Sequence, residues 1–390
     1  MDWIQNVAIS CSKNSREFYH SGFNGVNQME EWELQLKNVI TKPEQLADYL
    51  QLSQQECSNI SKVTEKYWMV ISPYYARLIS GEDNNCPIRK QCIPRLDELV
   101  NSGRMYDDPL HESVYSVAPH LVHKYPDRVA FFASNMCFMF CRHCTRKNTV
   151  ISKYGPVSDS DFEKVLHYIK NNKNIRDVLI TGGDPLTLTD EKLEKYISEF
   201  RKIDHVQTIR IGTRAIVTCP MRITEKLADM LMKYHPIWIN TQFNHPREIT
   251  PEAAQACNIL LSRGIPVGNQ TVLLNGINND LNTMEKLFSE LIRIRVRPYY
   301  LYQCDYVKGV EHFITPYTEG VEIISELRGR ISGYAIPHFI IDVAGEDGGK
   351  IVAERSNIVG DDGETLILRG LKNNLIKCKI VRETYENWVN

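Results

Sequence analysis

Three cysteines lie within one short run, MCFMFCRHCTRK, where Cys137, Cys141 and Cys144 have the spacing C-x3-C-x2-C. Three thiolates on such a loop can hold three corners of a [4Fe-4S] cube, and one iron then stays open to a substrate or cofactor. A zinc site is the alternative, with His143 or His123 as fourth ligand, although this spacing is not a usual zinc pair. The chain has 11 cysteines. An odd number, mostly scattered and without an export signal, does not fit a disulfide framework.

A second candidate is the run ITGGDP, which contains Gly182, Gly183 and Asp184. Glycines at the end of a strand let a ligand come close to the backbone. A Gly-Gly pair usually does no more than turn the chain, so the run alone is weak evidence for a ligand site. Its weight depends on whether the fold brings it beside the cysteines.

The surrounding elements alternate between short apolar or β-branched runs and amphipathic helical segments. Strand candidates begin near residues 129, 177, 208, 237, 267, 298 and 338, and a spacing of about 30 residues is the period of a βα unit. Helix start signals precede several helices, at Ser158 or Ser160, at Thr189, and at Thr250 before Pro251. Right-handed crossovers predict an α/β fold, a partial or full parallel (β/α) barrel. The cysteine loop follows its first strand, at the edge where barrel active sites lie.

The βα repeat divides the chain into three predicted parts. Residues 1–115 lack it and are expected to form an N-terminal helical region, with the amphipathic stretches EEWELQLKNV, PEQLADYLQL and EKYWMVISPYYARLI. Residues 116–343 form the barrel. Residues 344–390 start with the irregular run AGEDGGK and form a C-terminal segment and cap, with one or two strands in TLILRG and LIKCKIV.

Composition excludes several classes of protein. The 390 residues carry 46 Lys and Arg against 48 Asp and Glu, so no general attraction to nucleic acid or anionic lipid is expected. The sequence MDWIQNVAISCSKNSREF lacks the basic and apolar regions of a secretory signal. The longest apolar tract, Val129 to Cys141, is broken by Ser134 and Asn135 and is too short to cross a bilayer. A cytoplasmic protein is expected.

The cysteine spacing resembles that of radical S-adenosylmethionine (SAM) enzymes, and the surrounding blocks resemble one family among them, the lysine 2,3-aminomutases. The similar blocks span residues 30 to 360 and are YPDRVAFFASNMCFMFCRHCTRK, ITGGDPLTLTDEKLE, RIGTR, NTQFNHPREITPE, GNQTVLLNGIN, RVRPYYLYQCD and FIIDVAGEDGGK. The resemblance implies the radical SAM type of barrel. It also implies a [4Fe-4S] cluster whose open iron binds SAM, and pyridoxal 5'-phosphate (PLP), which carries an amino group from the α- to the β-carbon of an amino acid.

The resemblance also implies cofactor-binding residues. Gly182, Gly183 and Asp184, with Arg214 and Gln270, match contacts on the SAM side. On the PLP side the matching residues are Lys350 as the Schiff-base anchor, Tyr302 against the ring, and Lys124, Tyr125 and Arg128 near the phosphate. A lysine after two glycines is more commonly a surface residue in a flexible turn. A cation is suited to a phosphate, and the family more often has Arg where this chain has Lys124.

Substrate recognition is implied at three further positions. Arg146 matches the residue that binds the substrate carboxylate, for which a planar guanidinium is suited. Asp305 and Asp342 match a pair of carboxylates that bind a cation at the end of the substrate side chain, although either alone could equally be a helix cap or a solvated acid. Two converging carboxylates would be costly to bury without a cation. The predicted substrate is a free basic amino acid, with L-lysine slightly favoured over L-arginine.

The chain departs from the family at a few positions. Cys378 is the single cysteine beyond Lys350, so the intersubunit zinc of well-known members is not expected. Gln242 stands where His is usual, and the stretch after Asp342 is one residue longer and carries Glu346 and Asp347, which could suit a guanidinium. The resemblance further implies an electron donor such as a flavodoxin or ferredoxin, and a homo-oligomer.

Overall fold

The computed structural model describes residues 29–80, 85–149, 155–345, 348–370 and 373–380. One sheet dominates this part of the chain, and its ten strands follow one another in chain order. They are β1 (Ser116–Ala118), β2 (Leu121–Tyr125), β3 (Arg128–Ser134), β4 (Asp177–Gly182), β5 (Thr208–Gly212), β6 (Ile237–Thr241), β7 (Val267–Leu273), β8 (Arg297–Gln303), β9 (His338–Val343) and β10 (Gly349–Val352). Strands β3 to β9 are parallel, which confirms the predicted α/β fold with its partial (β/α) barrel.

The sheet has antiparallel strands at both edges, which the sequence analysis did not predict. β2 pairs with β3 across the tight turn between Tyr125 and Arg128, and β10 pairs with β9 after a short connection. A parallel pairing needs a crossover of a dozen or more residues, so connections this short allow antiparallel pairing alone. The stretch before Lys350, predicted as irregular, therefore leads directly into β10.

The described helices are α1 (Glu31–Lys37), α2 (Gln54–Thr64), α3 (Pro73–Arg77), α4 (Pro87–Cys92), α5 (Asp159–Asn171), α6 (Asp190–Arg201), α7 (Ala215–Thr218), α8 (Glu225–Met232), α9 (Pro251–Ser262), α10 (Leu281–Arg293) and α11 (Tyr317–Leu327). Three predicted start signals are confirmed. The side chains of Ser158, Thr189 and Thr250 accept hydrogen bonds from backbone N–H groups of the first turns of α5, α6 and α9, which satisfies donors that have no partner within a helix.

The crossover helices bury one face against the sheet. In α5 the buried positions are Phe162, Val165, Leu166 and Ile169, the three- and four-residue spacing of a helix face. Phe131 of β3 lies between that helix and the next, with its ring centroid 5.7 Å from that of Phe162. Packing of this kind fixes the helices outside the sheet and leaves its inner face free for a site.

The N-terminal region shares its hydrophobic core with the barrel. The stretch EKYWMVISPYYARLI was expected to be helical and for the most part is not. Within it, Ile71 forms isolated bridges with Ile40 and Met139, and the helix α3 starts only at Pro73, where the Ser72 side chain caps it. A proline fits the first turn of a helix but not its interior, which explains the late start.

The predicted C-terminal strands are confirmed as β12 (Thr365–Arg369) and β13 (Leu375–Lys379), which form a second sheet with β11 (Ile358–Asp361). The segment MDWIQNVAISCSKNSREF and the pair Glu346 and Asp347 lie outside the described residues. Among the helices that the structure describes, none has the length and apolar character needed to span a bilayer.

Candidate active site

A cavity of about 690 Å³ lies on the inner face of the curved sheet, and its lining extends from Arg128 and Asp177, at the starts of β3 and β4, to the loops that follow the parallel strands. Alternate residues of the strands face it, as in β7, where Gln270 and Val272 line the cavity and their neighbours are buried. Every site residue predicted from the sequence lines this one cavity: Lys124, Tyr125, Arg128, Cys137, Cys141, Cys144, Arg146, Gly182, Gly183, Asp184, Arg214, Gln270, Tyr302, Asp305, Asp342 and Lys350. These residues come from eight strands or from the loops that directly follow those strands, and they converge on one space.

The three cysteines form one end of the cavity, on the loop that follows β3, and all three are free thiols. Burial, and then the neighbouring Asp184, raise the pKa of Cys137 well above its ordinary value. Burial, and then Cys141, raise the pKa of Cys144 to about 11. The thiolates therefore need a positive partner. No three Cys, His, Asp or Glu side chains within the described ranges are gathered closely enough to hold a metal ion, but three soft donors on one loop are the chemistry that iron–sulfur clusters take.

The glycine pair packs directly against the cysteine loop. A Cβ atom on Gly182 would overlap the carbonyl oxygen of Ser134, and one on Gly183 would overlap that of Met136. The N–H groups of Gly183 and Asp184 donate to those same two carbonyls, each over 2.6 Å. The two glycines are thus needed so that the loop can approach the end of β4, in addition to any contact with a ligand.

The Asp184 carboxylate is buried and holds neighbouring elements together. It accepts hydrogen bonds from the Thr213 hydroxyl at 2.6 Å, from the Leu186 backbone N–H at 3.0 Å and from the Arg214 backbone N–H at 2.8 Å. Burial raises its pKa, against the effect of these donors. Its side chain therefore joins the ends of β4 and β5.

Two residues matched to the SAM side make other contacts in the structure. The Arg214 guanidinium donates from Nη1 to Sγ of Cys141 over 2.8 Å. The Gln270 amide donates to the Tyr299 hydroxyl and lies 3.5 Å from the Tyr302 hydroxyl. Arg214 is thus directed at the cysteine loop, and Gln270 at the tyrosines of β8.

A buried ion network on the far side of the cysteine loop was not predicted. Glu98 accepts from Nε of Arg142 at 3.0 Å and from Nζ of Lys147 at 2.6 Å, and all three side chains have no solvent exposure. Lys147 also donates to the Gly309 carbonyl at 2.9 Å. Burial raises the pKa of Glu98, but Arg142 and Lys147 outweigh it and lower that pKa to about 2. The network joins the loop to the N-terminal region and to the segment after β8.

Lys350 lies on β10, at the edge of the sheet, and lines the same cavity. Its Nζ is 2.5 Å from Oδ2 of Asp342, its partner across the strand pair, and 5.1 Å from the ring centroid of Tyr302. Its backbone N–H donates to the Tyr125 hydroxyl at 3.1 Å. Burial disfavours the Lys350 ammonium, but Tyr302 and then Asp342 together outweigh burial and raise the pKa of Lys350. Lys350 faces the cavity and is not a lysine in a surface turn.

The two cations matched to the PLP phosphate differ in their surroundings. Nζ of Lys124 lies 3.5 Å from Oδ1 of Asp342. The Arg128 guanidinium stacks at 4.0 Å from the centroid of the Tyr125 ring and pairs with Asp127 at 2.8 Å. The Arg128 side chain is 39% exposed and that of Lys124 is 14% exposed, so Arg128 is the more accessible of the two cations.

The groups matched to substrate recognition each have a partner within the protein. Arg146 binds Glu112 through Nε at 2.9 Å and through Nη2 at 2.6 Å. Asp305 accepts from the Thr145 hydroxyl at 2.6 Å. Burial, and then the charge of Asp342, raise the pKa of Asp305 to about 6. The two aspartates are thus close enough to act on each other's charge.

The two histidines considered as zinc ligands are bound elsewhere. His143 is 3.2 Å from the amides of both Gln242 and Asn244, and burial lowers its pKa far below the ordinary value. His123 lies 2.9 Å from the Tyr168 hydroxyl. Neither makes a metal site with the cysteines in the described part of the chain.

Comparisons with known proteins agree with this arrangement. The Radical SAM superfamily model matches residues 132–287. The L-lysine 2,3-aminomutase of Fusobacterium nucleatum is 45% identical over 88% of this chain and 81% of its own length. That of Acetoanaerobium sticklandii is 44% identical over 90% and 85%. The glutamate 2,3-aminomutase of Clostridioides difficile is 42% identical over 90% and 83%.

Proposed function

Because the chain belongs to the lysine 2,3-aminomutase family of radical SAM enzymes, and is therefore an isomerase, we propose that it moves the α-amino group of a free basic L-amino acid to the β-carbon. L-lysine is favoured over L-arginine. The cofactors that we assign are a [4Fe-4S] cluster, SAM and PLP. A flavodoxin or ferredoxin is the proposed electron donor, and the enzyme is proposed to act as a homo-oligomer.

The observation that carries the choice of substrate is the pair Asp305 and Asp342, which line one cavity. Burial, and then the charge of Asp342, raise the pKa of Asp305. A cation between two such carboxylates relieves their repulsion, and a third carboxylate would add to it. A relative named as a glutamate 2,3-aminomutase exists, so glutamate is the natural competitor. The two aspartates argue against it.

The cysteine end provides the residues for the radical step. Cys137, Cys141 and Cys144 supply three thiolates, and the Gly182–Gly183 turn packs against their loop and lines the same cavity. When bound, the cluster and SAM supply a carbon-centred radical that takes a hydrogen atom from the β-carbon of the substrate. The surrounding residues exclude water, because Phe138, Met139 and the strands beneath the loop are buried.

The Lys350 end provides the residues for the amino-group transfer. Lys350 reaches the cavity beside the face of Tyr302, and Arg128 lines the same cavity. When bound, PLP supplies an aldehyde that carries the migrating amino group. Asp342 holds Lys350 as an ammonium before any ligand arrives, so that proton has to leave before Lys350 can form a covalent bond.

Arg146 is proposed to orient the substrate between these two ends. Its guanidinium lies two residues beyond Cys144, 4.8 Å from the centroid of the Phe132 ring, and a planar fork can hold a carboxylate by two hydrogen bonds. A substrate held by its carboxylate at Arg146 and by its side-chain cation at Asp305 and Asp342 is fixed at both ends. Its β-carbon is then held still between the two cofactor sites, which is the requirement for a selective hydrogen transfer.

The function is tested by an anaerobic assay with SAM, PLP and dithionite against all the proteinogenic amino acids, with mass spectrometry of derivatised products. We expect a β-amino isomer from lysine or arginine. An isomer of glutamate alone would overturn the assignment of the two aspartates, and consumption of no amino acid by protein that holds the cluster and cleaves SAM would overturn the proposed reaction.

The PLP assignment is tested separately by borohydride reduction and peptide mapping. We expect the label on Lys350. Lys350→Arg is the matched variant, because it keeps a cation against Asp342 but cannot form the imine, and it should lose both label and turnover. Label on another lysine in the PLP-loaded protein would contradict the assignment.

A further inference from the structure

The guanidinium of Arg214 lies directly behind one of the three predicted cluster ligands. Its Nη1 donates to Sγ of Cys141 over 2.8 Å, and its side chain is 8% exposed. A buried cation at this distance acts on the electron density of the sulfur that it touches. The family resemblance implies a SAM-side role for Arg214, and it does not imply a contact with a cysteine.

The guanidinium is held in this position from several sides. Nη2 donates to Oε1 of Glu248 at 2.7 Å and to Oε1 of Gln91 at 2.6 Å, and Nε donates to the Gln242 carbonyl at 3.1 Å. Glu248 is itself fully buried and accepts from the Tyr75 hydroxyl at 2.7 Å. Turning the guanidinium away from Cys141 would break these bonds, so its orientation is fixed before any cofactor binds.

We propose that Arg214, held by Glu248, is a positioning residue that raises the reduction potential of the [4Fe-4S] cluster through its hydrogen bond to Cys141. The inference rests on the proposed function, since it requires the cluster. Hydrogen bonds to the sulfurs and nearby charge are among the factors that set the potential of such a cluster. One-electron reduction adds a negative charge to the cluster, and a fixed buried cation stabilises the reduced form more than the oxidised form.

The same residue connects the cluster loop to the glycine turn. The backbone N–H of Arg214 donates to Oδ2 of Asp184, and this bond does not depend on the side chain. Substitution at position 214 therefore changes the contact with Cys141 and leaves the backbone contact with the Gly182–Gly183 turn in place. The effect on the cluster can thus be separated from the effect on the turn.

The experiment is a redox titration of the anaerobically reconstituted enzyme, with the reduced cluster followed by EPR and iron measured per chain. Glu248→Gln removes a buried negative charge and keeps an acceptor for Arg214, and we expect a shift to a more positive potential. Arg214→Met in the Glu248→Gln background leaves no buried charge unpaired, and we expect a more negative potential than in Glu248→Gln alone.

Arg222→Lys is the matched control. Arg222 is also fully buried, but its guanidinium donates to the carbonyl oxygens of Leu186 and Leu188 and pairs with Asp190. We expect the wild-type potential in this variant. Equal potentials in Glu248→Gln and the double variant, or a negative shift in Glu248→Gln, would overturn the inference while the proposed function stands. Failure of the wild type to hold a cluster would instead overturn the proposed function.

Discussion

The two ends of the cavity are held by charges in different ways. At the cysteine end, Glu98, Arg142 and Lys147 form a network without solvent exposure. In the part of the cavity proposed to bind the substrate, here called the substrate end, the side chains of Arg146 and Glu112 are 24% and 15% exposed. The first set cannot exchange partners without leaving a charge buried and unpaired. The second set can, because solvent reaches it.

This difference indicates that one part of the site is assembled by folding and that the ion pairs of the other part can exchange partners when a ligand binds. The cysteine loop is fixed by bonds to distant segments of the chain, so the thiol end is set by folding. The substrate end holds internal ion pairs, Arg146 with Glu112 and Asp342 with Lys350. The carboxylate of the proposed substrate would replace Glu112 as the partner of Arg146. The side-chain cation of that substrate would replace Lys350 as a partner of Asp342.

The largest expected effect is at the buried network. Glu98→Gln leaves two buried cations without their counter-ion, and loss of one partner of a buried pair costs about 3–5 kcal/mol. We expect that loss in the apparent free energy of unfolding in urea, together with poor iron incorporation. A loss below about 1 kcal/mol, in the range of a surface pair, would contradict the idea that the cysteine end is preassembled by this network.

The matched control is a pair on the surface. Glu290 and Arg293 lie on one exposed face of α10, with side chains 34% and 65% exposed. Glu290→Gln should change the free energy of unfolding by less than about 1 kcal/mol, because exposed pairs contribute little. Iron incorporation should match the wild type.

The next effect is on substrate affinity. Asp305→Asn removes one carboxylate of the predicted cation site without touching Lys350, and a hydrogen bond to a charged group contributes about 1.5–3 kcal/mol. We expect binding of the basic amino acid to weaken by about 10- to 100-fold, measured by calorimetry. Cluster content should be unchanged. Unaltered affinity would remove the argument for a basic substrate.

The third effect depends on pH. Burial, and then Asp342, raise the pKa of Asp305 to about 6, and a cationic substrate binds the ionised form. As the pH falls below about 6, Asp305 takes up a proton and the affinity should fall by about tenfold per pH unit. Asp305→Asn serves as the control, because its affinity should lack this dependence. The same slope in both proteins would assign the titration to another group.

The smallest expected effect is at Arg146, the residue proposed to bind the substrate carboxylate. Glu112 occupies two donors of Arg146, so Glu112→Gln removes a carboxylate that competes with that of the substrate. A partly exposed pair contributes at most about 1 kcal/mol, and we expect KM to fall by up to about fivefold. A rise in KM would show that Glu112 instead holds Arg146 in place for the substrate.

The parallel strands β3 to β8 could be predicted from the sequence because each is a short apolar or β-branched run that an amphipathic helix follows in the chain. The strand expected near residue 177 begins at Asp177, and that expected near residue 208 begins at Thr208. The antiparallel edge strands were missed, since β1 and β10 have three and four residues and carry little periodicity. The family resemblance identified Lys350 as a site residue, but it did not predict the strand β10 on which Lys350 lies.

The site residues were predicted because each lies in or beside a block of sequence that resembles the family, and most of them lie near the end of a strand or on the loop that follows it. The residues that hold them in place were not. Glu98 lies on a single helical turn in the N-terminal region, Glu248 on another after β6, and Glu112 before β1. Each reaches its partner through tertiary packing, which leaves no periodic signal in the sequence.

The measurement that tests the central claim most directly is NMR of lysine labelled with ¹⁵N at the α-amino group and with ¹³C at the β-carbon, after anaerobic turnover. A 2,3-shift of the amino group places the two labels on bonded atoms, and we predict a one-bond ¹³C–¹⁵N coupling in the product. Product that forms without this coupling, or no product from either lysine or arginine with a fully loaded enzyme, would contradict the account.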